Sequence, residues 1–173
     1  MHKTQLLIAL ASLAFAGTAV AGNSPQTGQF DVTASVEGSC RITATPDLAF
    51  GVYDPVETHA TTPNDAQSSI SVRCVKGMTA DVALDQGDHP AAGSSCTAPA
   101  RQMQDGTEVL RYDIYQDSGY STAWGCDAGN DQGFTAAAST ADTVLNTYGR
   151  IPAGQDVGLG TNFLDTVVVT VTF

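Results

Sequence analysis

The chain has 173 residues, of which 14% are charged, and a formal net charge of −11. An acidic surface of that strength repels nucleic acid and anionic lipid. The abundance of Gly, Thr, Ala and Val fits neither a disordered acidic tail nor a helical bundle, and the length suits one domain with a real core.

In chain order, Lys3, the apolar run Leu6 to Phe15 and Ala19-Val20-Ala21 before Gly22 have the layout of a secretory signal peptide. A membrane anchor needs about 20 consecutive apolar residues, and this run is shorter, giving way to Gly17 and Thr18. Cleavage after Ala21 is the expectation. No later stretch is apolar and long enough to span a bilayer, so no membrane insertion is expected. A polar lead, residues 22–28, precedes an alternating segment in which Phe30, Val32, Ala34 and Val36 share one side of a two-residue period. The same period recurs in Ile70–Cys74, Val82–Leu84 and Leu110–Ile114, and Thr166–Phe173 is rich in β-branched residues. Gly/Pro/Asp breakers separate these runs, with two long loops at Gln86–Arg101 and Asp117–Gly133. The Ala-rich Thr135–Val144 is the one place for a short helical turn, and its Ser and Thr content argues against it. Short strands between such loops predict an all-β, antiparallel sandwich.

Cys40, Cys74, Cys96 and Cys126 make an even number in an exported chain, which implies two disulfides and leaves three pairings open. Cys96 and Cys126 each sit in one of the long loops, so a bridge between them would staple the loops together. That leaves Cys40–Cys74. There is no C-x-x-C pair, and His59 and His89 fall in polar loops without ligand spacing, where solvated surface histidines are expected; neither metal nor cofactor is expected. Asp127–Gly133 misses the EF-hand pattern, Gly158-Leu159-Gly160 is too short for a phosphate loop, and no G-x-S-x-G occurs. Nothing in the sequence suggests an enzyme. Tyr115 reads as core, whereas Tyr120 and Trp124 lie in a loop, where an aromatic sugar-binding surface stays open as an alternative.

Several blocks together resemble a known family. They are Gly28-Gln29-Phe30-Asp31-Val32, Gly38-Ser39-Cys40-Arg41-Ile42 and Leu48-Ala49-Phe50-Gly51-Val52-Tyr53, then Ile70–Cys74, Leu110–Asp117 and Trp124-Gly125. Tyr148–Gln155 and Asp165–Phe173 complete the series. Their order and spacing resemble the spore coat protein U domain family, which includes subunits of archaic, Csu-type chaperone–usher pili. Two features depart from it: Cys96–Cys126 is an addition to the Cys40–Cys74 pair of the family core, and Asn162-Phe163 stands where Tyr is common.

The resemblance implies an incomplete immunoglobulin-like sandwich lacking its last strand, with an N-terminal donor strand. Its open groove is filled first by a periplasmic chaperone and then, after an outer-membrane usher, by the extension of a neighbouring subunit. The implied role is a structural subunit of an extracellular fimbria that polymerises by donor-strand exchange, for surface attachment and biofilm formation. The expected division is a signal peptide at 1–21, an extension at 22–37 and the pilin domain at 38–173. Every second side chain of a strand projects to one face, so Phe30, Val32, Ala34 and Val36 can enter successive pockets while their backbone augments a sheet edge. Val167, Val169, Val171 and Phe173 belong to the strand bordering the accepting groove. Two alternatives stay open: residues 30–36 as the first strand of a complete sandwich, or as a strand that fills its own chain's groove. The competing function is a secreted carbohydrate-binding or tip adhesin domain with a self-contained fold, resting on Tyr120 and Trp124.

Overall fold

The computed structural model describes Gly22 and residues 24–173; the expected signal peptide, residues 1–21, lies outside the described residues. The chain divides into two compact units, residues 1–35 and 36–173. In the first, residues 24–35 carry no strand, and Phe30 and Val32 are 86% and 85% exposed.

The second unit is all-β apart from a short 3₁₀ turn at Thr58–Ala60. Its strands are β1 (Cys40–Ala44), β2 (Asn64–Cys74), β3 (Thr79–Leu84), β4 (Arg101–Asp105), β5 (Glu108–Tyr115), β6 (Gln132–Thr135), β7 (Thr143–Ile151) and β8 (Val169–Thr172). They form two antiparallel sheets, one ordered β1-β2-β7-β5-β4 and the other β6-β3-β8. Period-two burial drives the assembly. Ile70 and Val72 of β2, Leu110 and Ile114 of β5, and Leu145 and Ile151 of β7 turn inward from the larger sheet. Val82 and Leu84 of β3 are buried on the smaller one. Each large apolar side chain so buried contributes roughly 1.5–3 kcal/mol.

Several expectations from sequence need correction. Residues 30–36 alternate but form no ladder in this chain. The C-terminal run pairs only over Val169–Thr172, because Val168 N–H is taken by the Asp85 carboxylate (2.9 Å) rather than by a strand. Strands β4 and β6 lie at the ends of the two stretches read as long loops. Strand β7 escapes pattern reading because two of its inward positions are Thr147 and Gly149. Turns join β6 to β7, in line with the Ser and Thr content of that stretch.

Cys40 bonds Cys74, its register partner across β1 and β2, and Cys96 bonds Cys126. The bridges span 34 and 30 residues, and closing loops of that length contributes about 4 kcal/mol each in the chain-entropy account.

Two buried polar side chains tie the sheets together. Trp124, fully buried, donates from Nε1 to the Val82 carbonyl (2.8 Å). Arg101, 1% exposed at the start of β4, donates to the carbonyls of Leu84 (3.0 Å), Asp85 (2.8 Å) and Trp124 (2.9 Å). A buried guanidinium is tolerable only when its donors are met. Arg101→Met keeps the volume but strands three inner carbonyls, each costing about 1–3 kcal/mol. A fall in stability of about 3 kcal/mol or more is expected in urea unfolding, and an unchanged midpoint would show that water takes over those carbonyls.

Candidate functional site

Residues 36–173 enclose an open groove of about 500 Å³ between two banks. Thr45–Phe50 form one bank and Phe163–Val167, with Val169, the other; Ile70, Leu84, Met103, Tyr112 and Ile114 lie between them. Beside it β8 pairs with β3 on one side only, so its other edge is free among the described residues.

The first bank is extended chain laid on β2 and β7 rather than a ladder. Ser68 Oγ donates to the Pro46 carbonyl (2.8 Å), and Asn64 Nδ2 donates to the carbonyls of Phe50 (3.1 Å) and Val52 (3.3 Å). Gly149 makes the approach feasible: a Cβ there would stand 2.7 Å from both Leu48 Cδ2 and Phe50 Cζ. Phe50 then meets Tyr112 edge-on, with centroids 6.0 Å apart. Tyr53 finishes the bank, its hydroxyl donating to the Pro152 carbonyl (3.0 Å) and accepting from Gln155 N–H (3.1 Å).

The second bank is held by carboxylates that accept main-chain N–H groups. Asp105 receives those of Thr161 (2.9 Å) and Asn162 (3.0 Å), and Glu108 receives that of Gly158 (2.6 Å). Asp165 is the buried member, its side chain 1% exposed. It accepts from Tyr112 Oη (2.6 Å), from the N–H groups of Asp88 (2.8 Å) and His89 (3.1 Å), and lies 3.3 Å from His89 Nδ1. Gly87, at φ +77°, supplies the clearance, since a Cβ there would overlap the Asp165 carboxylate. With these polar groups consumed, the groove presents mainly apolar surface. The Thr147 hydroxyl, on the same lining, is buried without a partner among the described residues.

Of the residues expected on the groove's border, Val167 and Val169 line it. Val171 packs against the core beyond the groove, and Phe173 is 61% exposed. Phe30, Val32, Ala34 and Val36 are all exposed. The bank at 45–50 was missed by pattern reading, because Pro46 and Asp47 look like a turn; only the family block Leu48–Tyr53 marked it. The histidines also differ from expectation. His59 stacks on Tyr53 and accepts Asp54 N–H at Nδ1 (2.9 Å), and both His59 and His89 are half-buried.

The aromatic surface is not as expected either. Trp124 is core and reaches no solvent. Tyr115 instead faces outward on β5, meeting Tyr120 edge-on. Tyr120, at φ +54°, lies under the Arg150 guanidinium (3.6 Å), which is clamped by two hydrogen bonds to Asp65 (2.7 and 2.8 Å). Among the described residues no group of three or more His, Cys, Asp or Glu is placed to hold a metal ion, and no helix is long and apolar enough to cross a membrane.

Two outcomes follow from this geometry. Gly149→Ala should cost about 1–3 kcal/mol through overpacking, and Leu48→Ala should recover part of that loss. A double-mutant cycle on urea midpoints reads the coupling, and additive effects would separate the glycine from the bank. The second concerns alkali. Burial first, and then the bond to Asp165, raise Tyr112 far above the usual phenol range. The unfolded tyrosine loses its proton near pH 10 while the folded one keeps it, so stability should fall above that pH by about 1.4 kcal/mol per unit. Tyr112→Phe should start less stable but lose that slope; equal slopes from pH 9 to 11 would mean the folded phenol ionises as readily.

The comparisons with known proteins agree with this architecture. The Spore Coat Protein U domain model matches residues 26–170. Protein U of Myxococcus xanthus is 35% identical over 178 residues, covering 99% of this chain and 98% of that one. Among solved structures, the chaperone–tip adhesion subunit pre-assembly complex CsuC–CsuE, from archaic chaperone-usher Csu pili of Acinetobacter baumannii, matches with a TM-score of 0.56 and 25% identity. That match covers 80% of this chain and 40% of the other, which supports an immunoglobulin-like reading of the sandwich. The chain belongs to the Spore Coat Protein U domain family.

Proposed function

We propose that the protein is a structural subunit of a chaperone–usher surface fibre, joined to its neighbours by donor-strand exchange. The observation that carries this reading is the open apolar groove beside the free edge of β8, in a chain that also has an exposed alternating segment at Phe30–Val36. An unprotected apolar edge aggregates unless something covers it. A strand from a neighbour covers it by β-augmentation, with Phe30, Val32, Ala34 and Val36 entering the groove. Burying the larger of these contributes roughly 1.5–3 kcal/mol apiece. Donor and acceptor are different surfaces, so the contact repeats as a filament instead of closing into a dimer.

On this reading residues 1–21 direct export, 22–37 are donated and 38–173 receive. A periplasmic chaperone fills the groove first, an outer-membrane usher passes the subunit on, and the fibre serves surface attachment and biofilm formation. Val167 and Val169 are the groove-edge contacts of the C-terminal set. The carbohydrate-binding or tip adhesin alternative weakens, because Trp124 is buried and Tyr120 is covered on one face by Arg150.

The test is a thermal melt of residues 38–173 with and without a synthetic peptide of residues 22–37. A large rise in Tm is expected, and it should vanish when Phe30 and Val32 of the peptide become Asp. An already stable truncated domain that ignores the peptide would leave a self-contained secreted module instead.

A further inference from the structure

Positive charge is unevenly placed on this chain. Of its seven Lys and Arg residues, Arg41, Arg73, Arg111 and Arg150 lie on the outward face of the larger sheet. Arg73, Arg111 and Arg150 each stand between two buried neighbours along their strands, and Arg41 is the register partner of Arg73 across β1 and β2. Arg101 is buried. In contrast, residues 79–100 and 120–140, which carry β3 and β6 and are joined by Cys96–Cys126, contain five aspartates and no Lys or Arg.

The arginine face is electrostatically unfinished at one point. Like charges directly opposite on an antiparallel ladder destabilise it, and Arg41 and Arg73 are so placed. One carboxylate serves the pair: Asp142 Oδ1 lies 2.7 Å from Arg73 Nε, while Arg41 makes no ion pair among the described residues. Arg150, by comparison, is fully engaged by Asp65. Arg41 and Arg73 also line an open depression of about 380 Å³ with Ser39, Ser139 and Thr140. Ser139 Oγ already accepts Lys76 N–H (2.8 Å), so its proton remains free to donate. Two guanidinium groups and hydroxyl donors in one hollow fit a carboxylate.

The segments without Lys or Arg offer one on a rigid mount. In the turn before β6, Asn130 Nδ2 donates to the carbonyls of Cys96 (2.8 Å) and Thr97 (3.0 Å), and the N–H groups of Asn130 and Asp131 return to the Asp127 carbonyl (both 2.9 Å). Asp127 is exposed at its tip. A turn already ordered loses little entropy on docking.

We infer that the Arg41–Arg73 depression receives the Asp127–Asp131 turn of a second copy of this chain, laying subunits side by side. The proposed fibre is the expected source of that second copy, but the contact itself needs only residues 36–173.

The test uses the full mature chain at 100 mM NaCl, with electron microscopy for fibres, light scattering for lateral association and circular dichroism for folding. The wild type should associate laterally and disperse in 0.5 M NaCl, where screening reaches only a few ångströms. Arg41→Glu with Arg73→Glu should weaken association at least tenfold, and so should Asp127→Arg with Asp131→Arg. Mixing the two variants should restore it, since each then carries the complement of the other's hollow and turn. Lateral association that survives either reversal, a mixture that stays dispersed, or a wild type that never associates would each overturn the inference. If no fibres form, the fibre reading fails, and the same mixture followed by sedimentation still decides the contact between monomers.

Discussion

Arg101 is the tie on which this sandwich depends. Its guanidinium leaves the first residue of β4 in the larger sheet and meets carbonyls at the end of β3, in the other sheet, and at Trp124, whose own main-chain N–H bonds the Ile114 carbonyl of β5 (2.8 Å). In a complete sandwich, apolar side chains from both sheets interlock along the whole interface. Here the groove interrupts that contact, and directional bonds must do what packing cannot. Asp165 does the same nearby, anchoring the last segment to Tyr112 of β5 and to the loop after β3. Beyond these anchors the two banks can stay apart without collapsing onto one another.

The banks themselves are irregular chain made to behave like strands. Strand β7 ends at Ile151, and Pro152 has no N–H to continue the ladder. The Gln155 side chain takes up the bonds instead, accepting Arg111 N–H (2.8 Å) and donating to the Arg111 carbonyl (2.9 Å). Thus a side-chain amide completes β5 where the backbone cannot, and the same residue's N–H fixes Tyr53 at the far end of the other bank. Two family blocks far apart in sequence, Leu48–Tyr53 and Tyr148–Gln155, are one structural joint.

How much of this was legible in the sequence depended on whether burial or hydrogen bonding set the conformation. Ile70–Cys74, Val82–Leu84 and Leu110–Ile114 alternate strictly because each lies against the core, and they were readable as strands. Strand β7 was not, because Thr147 and Gly149 hold inward places for reasons no pattern carries: a groove to line and a neighbour to admit. The C-terminal run was read as longer than it is, since its β-branched residues continue upstream of the point where Asp85 takes over Val168. Trp124 looked accessible because its neighbours are Gly, Ala and Ser; only the fold shows that this loop turns inward beneath Val82.

An arginine hollow on a chain that is acidic as a whole has a consequence for when copies of this chain can meet. Two molecules far apart respond to the whole, strongly negative net charge, which is repulsive in every orientation. In dilute buffer that repulsion extends about 30 Å, roughly the scale of the protein, while near physiological salt it fades within about 8 Å. The arginine hollow acts only at contact. Added salt therefore first removes a barrier to approach and later dissolves the pair it permitted, so association passes through an optimum of ionic strength, and an acidic chain of this design is set by its medium to remain apart or come together.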